Sequence, residues 1–416
     1  MAHAVDSSPD DERQRVAVVL SGAGARGAFQ AGALSVLVPA LEARGLAPTI
    51  WLGTSAGSIN TVLWGAAAHL GAAAAAEHTL AVWREMGNED VYEPVPFSLG
   101  RALTQYATGA LAGRGAGTTS LLDTAPLQRT AAAHLDTAQL AANVQDGTLA
   151  SVGVVATRMP SQADDAVQGA ASGRSVLFLQ EHSADGYAGD PARALDVVRG
   201  PLEPEHVLAS SAIPVAFPPA RITIPGRAAG WYIDGGVRLN TPLHPAVGLG
   251  ATMIVLVSAT STTYRPPPPP QPVGSSPDIA DAAAQVLNAA LADRTTEDLA
   301  GLRRINRLVA QASRPGVPGP LTDASGRPYR HVDILAVSPS PGEMGRLAER
   351  IYRQRTAGLG RLSEIDNWLL GKALRGAGDG VGRRELLSYL FFDAAYFSAG
   401  IELGARNAAA ALAGEA

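Results

Sequence analysis

The chain has 416 residues, of which 46% are apolar, and its formal net charge at pH 7 is −5. That length predicts one large α/β domain with additions, or two domains, with a core that needs no disulfide staples. The mild charge gives no reason to expect nucleic acid, and the absence of cysteine excludes disulfides, thiolate catalysis and cysteine-based zinc or iron–sulfur sites.

The first 14 residues are polar and acidic, and they predict a disordered tail. They lack the basic and apolar regions of a secretory signal peptide. No uncharged apolar run reaches the roughly 18 residues of a membrane-spanning helix, because Asp393, Glu402 and Arg406 interrupt the best candidate, residues 388–412. We therefore expect a cytoplasmic protein without a transmembrane segment, although export by a route that needs no N-terminal signal stays open.

The next residues alternate between strand and helix patterns. Residues 15–20 (RVAVVL) and 49–53 (TIWLG) predict buried strands, and residues 27–43 and 56–70 have the spacing of apolar helices. This order predicts a mostly parallel sheet that is covered by helices on both faces.

Further elements follow along the chain. Helices are predicted over 72–86 and 99–111 and from 204 to near Pro214, and strands over 149–157, 176–180, 230–234 and 251–258.

A proline-rich segment, residues 264–276, predicts an exposed loop or a ligand for a proline-binding module. A helical stretch (279–312) and a further strand (332–337) come after it. Because the sheet resumes, we interpret the segment as an insertion within one domain, residues 15–340. Residues 341–416 predict a helical region packed on that domain.

Residues 53–57 (GTSAG) form a G-x-S-x-G motif between the second strand and the second helix. A serine on such a sharp strand-to-helix turn has a strained backbone and an exposed hydroxyl, and Gly53 and Gly57 let the turn close. The positive end of the following helix favours developing negative charge. Ser55 is therefore the candidate nucleophile.

A nucleophilic serine needs a base. Among eight histidines, only His244 and His331 suit a Ser-Asp-His hydrolase, and neither lies in a distinctive motif. Asp234 is more distinctive, because it ends a predicted strand and is followed by Gly235 and Gly236. The carboxyl ends of strands are where such folds bind ligands, although the same residues also fit an ordinary Asp-Gly turn.

The glycine-rich turn at residues 22–27 (GAGARG) matches the G-x-G-x-x-G template of dinucleotide-binding proteins, with its last glycine at Gly27. That template needs an acidic residue about 20 positions on, at the end of the second strand. Ser55 follows that strand instead, and Glu42 lies in the intervening helix. The dinucleotide interpretation therefore lacks its second element.

Backbone N–H groups in this turn suggest a different use. Those of Gly22, Ala23 and Gly24, with that of Ala56 after the serine, would form an oxyanion hole. Arg26 would add a fixed positive charge suited to an oxyanion or a substrate phosphate.

These three motifs in this order resemble the patatin-like phospholipase family, whose pattern is G-x-G-x-[RK]-G, then G-x-S-x-G, then a distant D-G-[GA]. The stretches SLLDTAPL (120–127), ASSAIPVAFPP (209–219) and LNTPLHPA (239–246) also look like the family. The resemblance covers roughly residues 15–258, and residues 332–337 are more weakly similar to the family. One departure is Ala23, where many members have glycine; its N–H survives the change unless φ there must be positive.

The resemblance implies a three-layer α/β/α sandwich with a mostly parallel sheet, plus the helical C-terminal region. It implies a Ser–Asp dyad without histidine, in which Ser55 is the nucleophile and Asp234 the direct base. The implied activity is hydrolysis of lipid esters, of a phospholipid or lysophospholipid, with no metal and no cofactor. Peripheral membrane contact is implied by that substrate class alone.

Two other functions stay open. One is a dinucleotide-binding oxidoreductase that uses residues 22–27. The other is a catalytically silent lipid-binding or scaffold protein, with the prolines at 268–272 and the C-terminal helices as contact surfaces. Residues 386–403 have enough aromatic surface to dock on lipid, or else form a helix packed on the sheet.

Overall fold

The computed structural model describes residues 14–93, 120, 122–160, 173–183, 186–223, 226–263, 294–314, 320–322, 328–356 and 381–414. Nearly all of the predicted N-terminal tail lies outside these residues. The predicted helix at 99–111 and the proline-rich segment at 264–276 also lie outside them.

A single mixed sheet organises the described residues. Its strands are β1 (Val16–Leu20), β2 (Ile50–Thr54), β3 (Ser151–Arg158), β4 (Arg174–Glu181), β5 (Leu195–Arg199), β6 (Ala220–Ile222), β7 (Gly230–Asp234), β8 (Met253–Val257) and β9 (Asp333–Val337). The order is β5-β4-β3-β2-β1-β8-β9. Neighbours on this path run parallel except for β3 and β4, so the sheet is mostly parallel.

The β6–β7 hairpin attaches to the carboxyl end of β3. Strand β7 runs antiparallel to β3, with Asp234 opposite Ala156. Because β2 and β3 are parallel neighbours, with Thr54 opposite Val155, this register brings Asp234 to the sheet edge at which β2 ends.

Helices cover the sheet. They are α1 (Gly27–Glu42), α2 (Ala56–Ala67), α3 (Ala72–Glu85), α4 (Ala125–His134), α5 (Thr137–Gln145), α6 (Pro204–Ser210), α7 (Leu243–Gly248), α8 (Arg294–Ala312), α9 (Glu343–Thr356), α10 (Val381–Leu390) and α11 (Ala394–Ala413).

The side chains of β1 alternate between two hydrophobic cores. Val16, Val18 and Leu20 belong to the larger core, which they share with helices α1, α2, α3 and α11. Ala17 and Val19 belong to the second core, against α7 and α8. Two cores separated by one sheet make a three-layer α/β/α sandwich, as predicted.

The predicted elements that fall on described residues are confirmed, with boundary shifts of at most about four residues. Helices α4, α5 and α7 and strands β5 and β6 were not predicted. Strands β5 and β6 lie in the half of the sheet beyond β3, and their alternation is weak: β5 reads LDVVR and β6 only ARI. Their pairing to longer neighbours holds them in place.

The C-terminal helices pack on the sandwich. Helix α11 lies against α1 so closely that a Cβ on Gly404 would come 2.0 Å from the Phe29 carbonyl oxygen. The aromatic side chains of residues 386–403 are buried, among them Tyr389, Phe391 and Phe397. This segment is therefore packed rather than presented to lipid. The division at residue 340 stays a prediction.

None of the helices in the described ranges combines the length and the hydropathy that a membrane-spanning segment requires. The pair Gly382–Leu390 and Ala394–Ala413 passes that test of length and composition only when taken together, and it is bent by 103° at the break.

Candidate active site

Ser55 occupies the sharp turn between β2 and α2. Its backbone has φ 55° and ψ −130°, a strained conformation for a residue with a side chain. The glycines beside it allow the close approach: a Cβ on Gly53 would lie 2.3 Å from the Gly57 carbonyl oxygen, and one on Gly57 would lie 2.7 Å from the Leu20 carbonyl oxygen. The turn thus has the geometry of a nucleophile elbow.

Hydrogen bonds hold this turn on both sides. The Ser55 N–H donates to Ser210 Oγ at 2.8 Å, and Ser210 Oγ donates to the Val155 carbonyl at 2.5 Å. On the helix side, Ser58 Oγ donates to the Ser55 carbonyl at 2.6 Å. The Ser55 N–H is therefore already hydrogen-bonded. The N–H of Ala56, the first residue of α2, is free among the described residues.

Asp234 lies at the end of β7 and is fully buried. Its Oδ1 accepts the N–H of Gly236 at 2.7 Å, and its own N–H donates to the Ala212 carbonyl at 2.8 Å. Burial raises the pKa of the Asp234 carboxyl to about 6, while the nearby Ser55 side chain and the Gly236 N–H lower it in part.

The second carboxylate oxygen, Asp234 Oδ2, makes no hydrogen bond of good geometry among the described residues. The Ser55 hydroxyl nevertheless lies close enough to affect the pKa of the carboxyl. The two side chains are thus neighbours in the folded chain.

The glycine-rich turn lies beside the serine. A Cβ on Gly22 would be 3.5 Å from Ser55 Cβ. The Gly22 N–H donates to the Asn240 carbonyl at 3.0 Å, so the expectation that it serves an oxyanion hole needs correction: it is already paired. Within the described part of the chain, the N–H groups of Ala23 and Gly24 donate no hydrogen bond. They are free to bind an anion.

Alanine fits at the middle of this turn. The backbone φ of Ala23 is −140°, a region open to any residue, so the glycine found there in many family members is not needed for φ. The substitution leaves the N–H in place.

A family model described as patatin-like phospholipase matches residues 18–247, which is more than half of the chain. This protein belongs to the patatin-like phospholipase family. The matched region runs from β1 into α7 and contains Ser55, Asp234 and the glycine-rich turn.

Among curated proteins, none matches the chain significantly. Several solved structures do match, and one is the crystal structure of VipD from Legionella pneumophila. It is 14% identical with a TM-score of 0.29, and the alignment covers 90% of this chain and 66% of that chain, just under two thirds.

Arg26 of this patatin-like domain is buried, with 2% of its surface exposed. It forms an ion pair with Glu385, and its Nε donates to Ser388 Oγ at 2.9 Å. Its guanidinium also lies 3.9 Å from the ring centroid of Tyr389. These contacts correct the expectation of a substrate-binding charge: all three partners are on α10, so they favour a role in fixing the turn.

Asn240 was not singled out as a functional residue, although it lies within the LNTPLHPA stretch. Its side chain is 3% exposed, and neither its Oδ1 nor its Nδ2 has a hydrogen-bond partner among the described residues. A Cβ on Gly22 would come 2.2 Å from Asn240 Oδ1. A buried amide without partners is costly, and this one is next to the serine and the glycine-rich turn.

The remaining candidates have ordinary surroundings. His244 Nε2 lies 3.8 Å from Asp298 Oδ1, and burial lowers the pKa of His244. His331 Nδ1 lies 3.5 Å from Asp333 Oδ1, at the amino end of β9 and so at the sheet edge opposite to Ser55. No group of three or more His, Asp or Glu side chains in the described ranges could hold a metal ion.

The other motif glycines allow close packing. A Cβ on Gly27 would lie 2.5 Å from the Trp83 ring, and one on Gly235 would lie 2.2 Å from the Val155 carbonyl oxygen.

Proposed function

We propose that this patatin-like protein is a serine acyl hydrolase that cleaves lipid esters, of a phospholipid or lysophospholipid, through a dyad of Ser55 and Asp234. One observation carries the proposal. Asp234 is a fully buried carboxyl with an unpartnered oxygen and a pKa raised to about 6, and it neighbours a serine on a strained elbow. A carboxyl with this pKa is ionised at neutral pH, and its pKa is close enough to that pH for the carboxylate to accept a proton.

In the first half of the reaction, Asp234 takes the proton of Ser55 Oγ as that oxygen attacks the ester carbonyl carbon. The N–H groups of Ala23, Gly24 and Ala56 stabilise the oxyanion that develops. When the tetrahedral intermediate collapses, the bond to the leaving alcohol breaks, and Asp234 returns the proton to that alcohol.

In the second half, water attacks the acyl–serine ester and gives its proton to Asp234. Collapse of the second intermediate releases the fatty acid, and the proton returns to Ser55 Oγ. The site is then restored.

The direct test is hydrolysis of lysophospholipid and phospholipid vesicles, with products identified by mass spectrometry, and of a short p-nitrophenyl ester. We expect Ser55→Ala and Asp234→Asn each to lower kcat by a factor of about 10³ or more while the circular dichroism spectrum is unchanged. Full activity in either variant would overturn the dyad.

A fluorophosphonate probe separates the proposal from a catalytically silent lipid-binding protein. It should label the wild-type protein and fail to label Ser55→Ala. The exposed Ser398 supplies the control, because Ser398→Ala should leave labelling intact. Saturable binding of NAD(P) or FAD to an unlabelled protein would instead favour the oxidoreductase alternative.

A further inference from the structure

Asn240 differs from the other buried side-chain amides of the described residues. Four such amides are no more than 3% exposed: Gln30, Asn60, Asn143 and Asn240. The first three have both ends of the amide hydrogen-bonded. In Asn240 neither Oδ1 nor Nδ2 is paired within the described part of the chain. The fold therefore pairs its buried amides at three positions and leaves this one open.

The backbone around Asn240 is fixed by hydrogen bonds to the candidate site. The Gly22 N–H, in the glycine-rich turn, donates to the Asn240 carbonyl at 3.0 Å. Thr54 Oγ1, on the last residue of β2, donates to the Leu239 carbonyl at 3.1 Å. The Leu239 N–H donates to the Gly235 carbonyl at 2.9 Å, in the turn after β7. All three motifs of the site thus hold the segment that carries the open amide.

The side chain of Asn240 lies beside the serine. A Cβ on Gly22 would be 2.2 Å from Asn240 Oδ1 and 3.5 Å from Ser55 Cβ, so the amide and the serine side chain meet over the same face of Gly22. The next two N–H groups of the turn, those of Ala23 and Gly24, donate no hydrogen bond in the described ranges. The open amide therefore borders both the serine and the N–H groups that are free to bind an anion.

The chemistry of an amide indicates what this one can bind. A carboxamide has two N–H donors and one acceptor oxygen, and burying it without a partner destabilises the folded protein. An oxyanion only accepts hydrogen bonds, so the NH₂ of the amide is the end that suits it. A hydrogen bond that forms only as the oxyanion develops raises kcat rather than tightening substrate binding.

We propose that Asn240 is a catalytic residue whose Nδ2–H donates to the oxyanion, beside the backbone N–H groups of Ala23, Gly24 and Ala56. The inference rests on the proposed hydrolase function, because attack by Ser55 on the ester carbonyl creates that negative charge. Collapse of the tetrahedral intermediate removes the charge, and the amide is again without a partner.

Replacing the amide by a hydrocarbon group of similar shape tests the proposal. We expect Asn240→Leu to lower kcat for p-nitrophenyl acetate about 100-fold, since one oxyanion-hole donor contributes roughly 10²–10³, and to change KM by less than about threefold. Stopped-flow release of p-nitrophenol in the first turnover should slow by the same factor, because the oxyanion already forms during acylation. An unchanged first turnover with a slower steady state would place the amide at the hydrolytic water instead and overturn the proposal.

Stability separates this role from a structural one. Because the Asn240 amide has no hydrogen bond to lose, Asn240→Leu should leave the midpoint of urea unfolding unchanged or raise it. The matched control is Asn143→Leu, which removes a paired amide on α5. It should lower that midpoint while kcat stays within about twofold of wild type. A lower midpoint with unchanged kcat in Asn240→Leu would show that the amide is merely structural, contrary to the proposal.

A smaller variant covers the case in which leucine prevents folding. Asn240→Ala removes the same donor without adding bulk, so the first turnover should again slow about 100-fold. Wild-type protein that hydrolyses no ester would contradict the hydrolase function, and this inference with it. An active wild type whose first-turnover rate is matched by folded Asn240→Ala would contradict the role of Asn240 alone.

Discussion

Asp234 combines full burial with an unpartnered oxygen. Burial disfavours the charged form of the carboxyl, and this raises its pKa to about 6. A direct base must be ionised to take the serine proton, so the same burial that makes the carboxylate more basic also limits the pH range in which it works.

This balance predicts the pH profile of the reaction. We expect kcat/KM to rise with pH, with a midpoint near 6, and to level off above pH 7, because only the ionised Asp234 accepts a proton. Below the midpoint the rate should fall tenfold per pH unit. A pH-stat assay on a short ester measures this directly.

An exposed aspartate provides the control for that profile. Asp196 lies on β5 and pairs with Arg174 at the surface, so Asp196→Asn should leave the midpoint unchanged. A wild-type midpoint near 4, the ordinary range for aspartate, would show that burial does not tune this carboxyl.

The sequence predicts the serine and the aspartate as candidates because each lies in a short motif at a strand end, and their catalytic roles stay a prediction. It misjudged Arg26 because nothing near that residue indicates its partners: Glu385 is 359 positions away. Ser210 was missed for the same reason, since the Ser55 N–H reaches it across 155 positions. Short motifs indicate candidate catalytic residues. Contacts between residues far apart in sequence determine whether a charged side chain is paired or available to a substrate.

At the scale of elements, helices α1 and α11 are in close backbone contact. A Cβ on Gly32 would lie 2.0 Å from the Ile401 carbonyl oxygen, and one on Gly404 equally close to that of Phe29. Each helix thus has one glycine at the point where the backbone of the other helix contacts it. Since α1 begins directly after the glycine-rich turn, α11 helps to fix the start of α1.

We expect Gly404→Val to destabilise the fold by about 1–3 kcal/mol or more, because the added side chain must push α11 away from α1. The midpoint of urea unfolding, followed by circular dichroism, measures the change. Ala409→Val places the same side chain on an exposed part of α11 and should shift the midpoint far less. Because valine is a better helix former than the glycine it replaces, equal shifts would contradict the close packing of α11 on α1.

The elements themselves were predictable where their patterns are strong. Strands β1 and β2 are each a run of five buried residues, and each is followed by a glycine-containing turn, so the sequence located them within one residue. The contact between α1 and α11 was not visible, because glycine in a helix pattern ordinarily indicates weakness rather than close approach.

At the scale of the whole molecule, Arg26 connects parts of the described chain that are far apart in sequence. This side chain starts in the turn after β1, yet it pairs with Glu385 and Ser388 on α10 and contacts the Ala259 carbonyl after β8 at 3.4 Å. The C-terminal region therefore supports the turn that neighbours Ser55, although the family match ends at residue 247.

We expect Glu385→Ala to lower stability by about 1.5–3 kcal/mol, the worth of hydrogen bonds to charged groups, and to reduce kcat by loosening the turn. Glu385 is 24% exposed, so the lower part of that range applies. Urea unfolding and ester hydrolysis measure the two effects. Glu402→Ala, which breaks an exposed pair with Arg406, is the control and should change neither stability nor kcat. If Glu385→Ala also changed neither, α10 would not support the glycine-rich turn.

The contact between Arg26 and Glu385 has a consequence for the synthesis of the chain. Ribosomes add roughly 5–20 residues per second, and Arg26 and Glu385 are 359 positions apart, so about 20–70 s pass between the two. During that interval the nascent chain already holds Ser55 but lacks the helix that anchors the turn beside it. The glycine-rich turn reaches its final packing only once α10 has been made, so the candidate site is complete only at the end of translation.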